Sequence, residues 1–137
     1  MSKLRAGVIG AGVFGGHHAR KYAADPRITL TAIYDVDQTR AEALAKDVGA
    51  AAPPSMEAFL AAVDIVTVAS IPITHGPAAG AALDADKHVL VEKPLAVEAG
   101  EAAALVRIAR ERNLILACGH QERLVFAAMG LFTTPEK

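Results

Sequence analysis

The chain has one cysteine, no surplus of charge of either sign and no long apolar run, and each absence excludes something. A lone Cys118 cannot close an internal disulfide or build a multi-cysteine metal site. It lies in the apolar run Leu114-Ile115-Leu116-Ala117-Cys118 and reads as a small core residue in a reducing compartment. Lys and Arg number 14 against 15 Asp and Glu, a formal charge of −1. That balance offers no basic field of the kind that holds a phosphate backbone, so nucleic acid is not an expected partner. No stretch of about 18 uninterrupted apolar residues is present, so no bilayer-spanning helix is expected. Lys3 and Arg5 followed by Ala6 to Val13 imitate a secretion signal, but glycines break the apolar stretch, and a cytoplasmic protein is the expectation.

What is present suits one domain. The 137 residues are 53% hydrophobic, enough for a real core and too few for two ordinary domains. Short β-branched runs alternate with longer alanine-rich, charge-dotted runs, the pattern of strands joined through crossover helices into a parallel sheet buried on both faces. Strands are expected over Leu4–Gly10, Ile28–Tyr34, Asp64–Ala69, Lys87–Val91 and Leu114–Cys118, with a short sixth near Ala50–Ala52. Helices are expected over Val13–Ala24, Gln38–Val48, Met56–Ala61, His75–Ala85 and Val97–Arg112. Gly49 stands where a left-handed helix end is wanted, and Ser55 and Thr74 stand where a side-chain oxygen can cap a helix start. Ala102, Leu105, Val106 and Ala109 form a stripe at i, i+3, i+4 and i+7 that should face the sheet. From Gly119 to Phe132 a further helix with a dense apolar side is expected, with no sheet partner of its own.

Gly10-Ala11-Gly12-Val13-Phe14-Gly15 is a G-x-G-x-x-G lying directly between the first strand and the first helix, the position of a phosphate site. The first glycine permits a tight turn, the second lets backbone approach a pyrophosphate, and the third lets helix and strand pack closely. Free N–H groups at the helix start bind the anion, with Val13 and Phe14 in that first turn. Asp35 ends the second strand, 20 residues after Gly15, the spacing at which a carboxylate meets the adenosine ribose hydroxyls. A 2′-phosphate there would be repelled, which favours NAD over NADP. Arg40 argues the other way, since its guanidinium could hold that phosphate, although a helix-surface charge is its ordinary role. The bland alternative is a plain tight turn, with Asp35 capping the helix that follows.

His88-Val89-Leu90-Val91-Glu92-Lys93-Pro94-Leu95 puts a lysine at the carboxyl edge of the sheet, beside the crevice where ligands bind in doubly wound folds. Oxidising an alcohol needs a hydride acceptor on one face of the carbon and a group to receive the hydroxyl proton, which a poised lysine can assist. A solvent-facing lysine before a turn proline is the alternative. Taken together, the glycine loop with His18-Ala19-Arg20, then Ser70-Ile71-Pro72 with His75, then Lys87 to Leu95 resemble the N-terminal half of a Gfo/Idh/MocA oxidoreductase, the family of glucose-fructose oxidoreductase and inositol dehydrogenase. The resemblance covers nearly the whole chain, and Glu92-Lys93-Pro94 is its most specific part.

The resemblance implies a doubly wound Rossmann fold of about six strands, with residues 1–119 forming the dinucleotide-binding domain and 120–137 a terminal helix and tail leading toward a substrate domain that is absent here. It implies that Lys93 is the catalytic residue, lying between nicotinamide ribose and substrate hydroxyl, that the Lys93–Pro94 bond is cis, and that Glu92 shapes the lysine's surroundings. Ser70, Ile71, Pro72, His75, Glu92, Lys93 and Pro94 join Gly10, Gly12, Val13, Phe14, Gly15, Asp35 and Arg40 as cofactor-binding candidates. Two departures stand out: Ile71-Pro72-Ile73 replaces a frequent Thr-Pro-Asn, and Gly119-His120-Gln121-Glu122-Arg123-Leu124 replaces Asn-x-Arg-Phe, although a subgroup carries Gly-His-x-Glu-Arg. His120 reads as a helix-start residue. His17, His18, His75 and His88 lack companions at metal-ligand spacing, and no metal is expected.

The expectation is therefore an NAD-binding domain of an oxidoreductase that moves hydride between nicotinamide and a sugar, polyol or nucleotide-sugar alcohol, binding cofactor without efficient turnover on its own. The alternative is a non-catalytic dinucleotide-binding or self-associating module, a homodimer forming through the apolar Leu124 to Phe132 helix.

Overall fold

A computed structural model of the chain describes residues 2–131. The expected helix through Phe132 and the tail to Lys137 therefore lie partly outside the described residues. Five parallel strands, β1 (Leu4–Ile9), β2 (Ile28–Tyr34), β3 (Ile65–Val68), β4 (His88–Glu92) and β5 (Leu116–Gly119), form one sheet in the order β2-β1-β3-β4-β5. The expected sixth strand is reduced to a single parallel bridge between Ala51 and Ala32, held by the Ile33 N–H to the Ala51 carbonyl at 2.9 Å and the Ala51 N–H to the Thr31 carbonyl at 3.0 Å. Alanines flanked by two prolines, Pro53 and Pro54, leave nothing to extend the ladder. With that bridge counted as a vestigial strand beyond β2, the order is that of a doubly wound dinucleotide fold, reversing direction between β1 and β3.

Helices α1 (Val13–Ala24), α2 (Gln38–Val48), α3 (Met56–Ala61), α4 (His75–Asp84), α5 (Ala99–Glu111) and α6 (Gln121–Ala128) complete the chain. Under α1 and α2, Val8, Ala19, Leu30, Ile33, Ala41, Leu44 and Ala45 make one buried layer. Across the sheet, the α4 alanines and Leu105 and Ala109 of α5 close over Val66, Val68, Val89 and Val91. Ala102 and Val106 of the expected stripe are only half-buried. Phe59 of α3 is fully buried, and its ring occupies the space beside Gly7 that a Cβ there would need, at 2.6 Å.

The helix ends follow local chemistry. Asp37 caps α2 by accepting the Arg40 N–H at 3.3 Å, Ser55 caps α3 by accepting the Ala58 N–H at 3.1 Å, and Gly49 closes α2 at φ 73°. Thr74 does not cap α4. A 3-10 turn over Pro72–Thr74 already holds its backbone in helical space, whereas a capping residue needs extended backbone, and its hydroxyl donates back to the Ile71 carbonyl at 2.8 Å. β5 begins two residues later than expected because Ile115 spends its N–H on the His88 ring, donating to Nδ1 at 3.0 Å. As the edge strand it leaves Ala117 exposed, like Ile115 just before it, and Cys118 is half-buried rather than in the core. Burial nonetheless raises the Cys118 thiol pKa.

Candidate functional site

The carboxyl ends of β1, β3 and β4 place three loops side by side, beginning with the glycine loop after β1. Each of its glycines meets a different demand. Gly10 sits at φ +101°, and a Cβ there would lie 2.6 Å from the Ala69 carbonyl oxygen. A Cβ on Gly15 would lie only 1.7 Å from the Gly10 oxygen, so helix and turn can approach only if that residue is glycine. At Gly12 the single nearby group is the flexible end of Arg40, with Nη2 3.4 Å from the Cβ position. The chain's own packing thus requires Gly10 and Gly15 but not Gly12. Gly12 also begins α1 without any side-chain cap, so no side chain at that position satisfies the first N–H groups of the helix.

Asp35 does not cap α2, since Asp37 does. Instead its Oδ2 accepts the Ala11 N–H at 2.7 Å and its Oδ1 the Asp37 N–H at 2.9 Å, which ties the glycine loop to the end of β2. Each carboxylate oxygen retains acceptor capacity for a sugar hydroxyl. Arg40 reaches over the same loop, so the carboxylate and the guanidinium flank one region. Exposed Val13 and Phe14 cover the outer side of the helix start.

The second and third loops are fastened to each other. In the first, Ser70 Oγ and Thr74 Oγ1 hydrogen-bond at 2.7 Å, folding Ser70-Ile71-Pro72 into a compact corner with Ile71 exposed. His75, 1% exposed, has Nδ1 2.6 Å from the Pro94 carbonyl oxygen and Nε2 3.0 Å from that of Ser70. The ring thus lies behind the site and acts on it through two carbonyls. The Lys93–Pro94 bond is cis. Glu92 is buried and meets His18 Nε2 of α1 at 2.7 Å, while its carboxylate also fills the space beside Gly119, where a Cβ would lie 3.2 Å from Oε2.

Lys93 points elsewhere. Its Nζ pairs with Glu122 Oε1 of α6 at 2.8 Å, both side chains being about half exposed at 48%. The hydrogen bond and charge of Glu122 raise the lysine pKa, and the hydrogen bond and charge of Lys93 lower the glutamate's. A cavity of about 210 Å³ opens between α1, Glu92 and α6, lined by Phe14, His17, His18, Lys21, Glu92 and Gln121. Sequence reasoning did not anticipate His18 as the partner of Glu92 or Glu122 as that of Lys93. Both are contacts between residues distant in sequence, His18 one helical turn beyond Phe14 on α1 and Glu122 just past β5.

Comparison with known proteins places this geometry. Residues 4–120 match the model of an oxidoreductase family with an NAD-binding Rossmann fold, the Gfo/Idh/MocA family. The chain belongs to that family. It is 41% identical over 124 residues to a UDP-N-acetylglucosamine 3-dehydrogenase from Acidithiobacillus ferrooxidans, an alignment covering 90% of this chain and 39% of that one. A crystal structure of that enzyme superimposes with a TM-score of 0.89 at 40% identity, covering 96% of this chain and 43% of the other. GenD2 from gentamicin A biosynthesis, solved with NAD, matches with a TM-score of 0.83 at 38% identity over 87% of this chain and 35% of its own. Biliverdin reductase from Synechocystis sp. PCC 6803, solved with biliverdin and NADP+, matches with a TM-score of 0.86 at 30% identity over 94% of this chain and 42% of its own. This Gfo/Idh/MocA chain therefore spans about two fifths of its relatives' length, and it is a dinucleotide-binding oxidoreductase domain of the Rossmann type. The relatives include holders of both NAD and NADP. Among the described residues, no helix is long and apolar enough to cross a membrane.

Proposed function

We propose that this chain binds NAD in preference to NADP, across the three loops, as the nucleotide half of a dehydrogenase acting on a sugar, polyol or nucleotide-sugar alcohol. The observation that carries the reading is the open space at Gly12 beside an uncapped helix start. The N–H groups at the start of α1 would hold the pyrophosphate, Asp35 would accept from the adenosine ribose hydroxyls, and Ser70-Ile71-Pro72 and Lys93 would line the nicotinamide end. Bound nicotinamide supplies the hydride acceptor. The carboxylate at Asp35 favours ribose hydroxyls over a 2′-phosphate, and Arg40 over the same loop tempers that preference without reversing it.

Lys93 is the residue proposed to meet the substrate. Paired with Glu122 its ammonium is held protonated, so it orients a hydroxyl oxygen by donating to it rather than removing its proton. Residues 1–119 form the binding unit and residues from His120 onward lead toward further structure, in keeping with a chain that covers 39% of its dehydrogenase relative. By itself the unit binds cofactor without efficient turnover, in the cytoplasm, where a lone free cysteine stays reduced.

Calorimetric titration with NAD and NADP tests the reading, using the unmodified chain, Gly12→Val and Asp35→Ala. NAD binding that disappears in the glycine variant, and a ratio of affinities that moves toward NADP in the aspartate variant, are the expected results. Uptake of neither nucleotide would defeat the proposal. An NADH signal dependent on a sugar substrate and lost in Lys93→Ala would overturn the claim that turnover needs more than this unit.

A second reading rests on α6, whose Leu124, Val125 and Met129 are exposed. They form a homodimer contact in this reading, and sedimentation showing only monomer at high concentration would refute it.

A further inference from the structure

We propose that His75 is a positioning residue that sets the two walls of the nicotinamide end of the cleft, clasping the loop after β3 to the corner after β4. The proposal rests on the dinucleotide reading above for what the cleft holds. His75 is 1% exposed, and each ring nitrogen faces a backbone carbonyl: Nδ1 lies 2.6 Å from the oxygen of Pro94 and Nε2 3.0 Å from that of Ser70. Carbonyl oxygens only accept and a neutral imidazole carries one N–H, so the ring donates to Pro94 in one tautomer and to Ser70 in the other, and no apolar side chain can donate to either.

The clasp has a direction. Ser70, Thr74 and Ile71 already hold one another through the hydroxyl bond at 2.7 Å and the Thr74 bond to the Ile71 carbonyl at 2.8 Å, so the first loop moves as a unit. Pro94 directly follows Lys93, so the ring fixes the backbone beside the lysine against that unit. Strands β3 and β4 pair through Val68 and Val91, and beyond that last pair the His75 ring links the two exits. Width between the walls follows from the width of one imidazole.

Two substitutions separate the bonds. An asparagine places its amide nitrogen near the Nδ1 position and a glutamine near Nε2, so His75→Asn retains the contact to Pro94 and His75→Gln the contact to Ser70. Backbone hydrogen exchange should then cross over. Segment 93–96 opens roughly five- to tenfold faster in His75→Gln alone, and segment 70–74 by a similar factor in His75→Asn alone. Both variants should bind NAD at least about threefold more weakly than the unmodified chain, because one wall moves in each. Exchange that stays unchanged in both segments, or that rises evenly through the whole sheet, would reduce His75 to a packing residue. A crossed pattern with unaltered NAD affinity would equally overturn the positioning role. If the unmodified chain takes up neither NAD nor NADP, the dinucleotide reading fails, and the exchange pattern alone still decides the clasp. Should either variant not fold, the unmodified chain answers the question: matching denaturant dependence of exchange in the two segments supports a shared clasp, and independent opening refutes it.

Discussion

The two ends of the sheet's carboxyl edge are built differently. At the glycine loop the backbone is committed on every side: Gly15 touches the Gly10 oxygen, Ala11 donates to Asp35, and Gly10 abuts the exit of β3. Over Gly12, among the described residues, the end of Arg40 alone comes within 4 Å of a Cβ position. At the Lys93 end, the lysine is held by a half-exposed ion pair to α6, and Ala117 of β5 and Leu124 and Val125 of α6 face solvent. A phosphate site made of backbone needs close packing from its own strand and helix, whereas a substrate site made of long side chains needs surfaces that approach from elsewhere. The glycine-loop end is built mainly from one crossover unit, and the Lys93 end is assembled from parts far apart in the chain.

The contrast is broken most directly by Gly15→Ala. A methyl group 1.7 Å from the Gly10 oxygen forces helix and strand apart, so a loss of about 3 kcal/mol in urea unfolding is expected. A loss under about 1 kcal/mol would mean that the loop yields and is not committed as described. Gly12→Val sharpens the same point from the other side, because the open space should leave stability within roughly 1 kcal/mol while NAD affinity falls about a hundredfold by calorimetry. At the Lys93 end the effects are smaller. Glu122→Gln removes the group that raises the Lys93 pKa, so more free amine is present at pH 8 to 9, and acylation of Lys93 read by mass spectrometry should quicken roughly two- to fivefold with no change in melting temperature.

The smallest effect concerns acid. Asp64 is held down to about 2 by hydrogen bonds from Arg5, which join the start of β1 to the residue before β3. A lowered folded-state value means that the pair's contribution is present above the usual 3.8 and lost as pH falls toward about 2. The stability difference between Asp64→Asn and the unmodified chain should therefore be small at neutral pH and shrink across that window, the pair being exposed to solvent. A difference that grew on acidification would contradict the assignment.

Much of this architecture was legible because it depends on local sequence. Alternation of β-branched and alanine-rich runs placed α1, β2, α2 and α3 at their observed bounds. Gly49 and Ser55 behave as their residue types require. The glycine loop and the 20-residue spacing to Asp35 were readable for the same reason, since one strand, one turn and one helix fix their relation. Thr74 was misread because a preceding proline turn, not the residue's own preference, set its backbone. Cys118 looked buried because an apolar run cannot tell a central strand from an edge strand.

By itself the sequence determined a parallel α/β domain with a phosphate-binding turn, because hydrophobic period, glycine placement and crossover length are properties of short segments. The tertiary structure alone decided that His18 meets Glu92, that Glu122 meets Lys93, and that His75 joins two strand exits. Those contacts join residues 5 to 74 positions apart. They exist only once β3 and β4 lie side by side and α1 crosses the sheet, a geometry that sequence spacing does not encode.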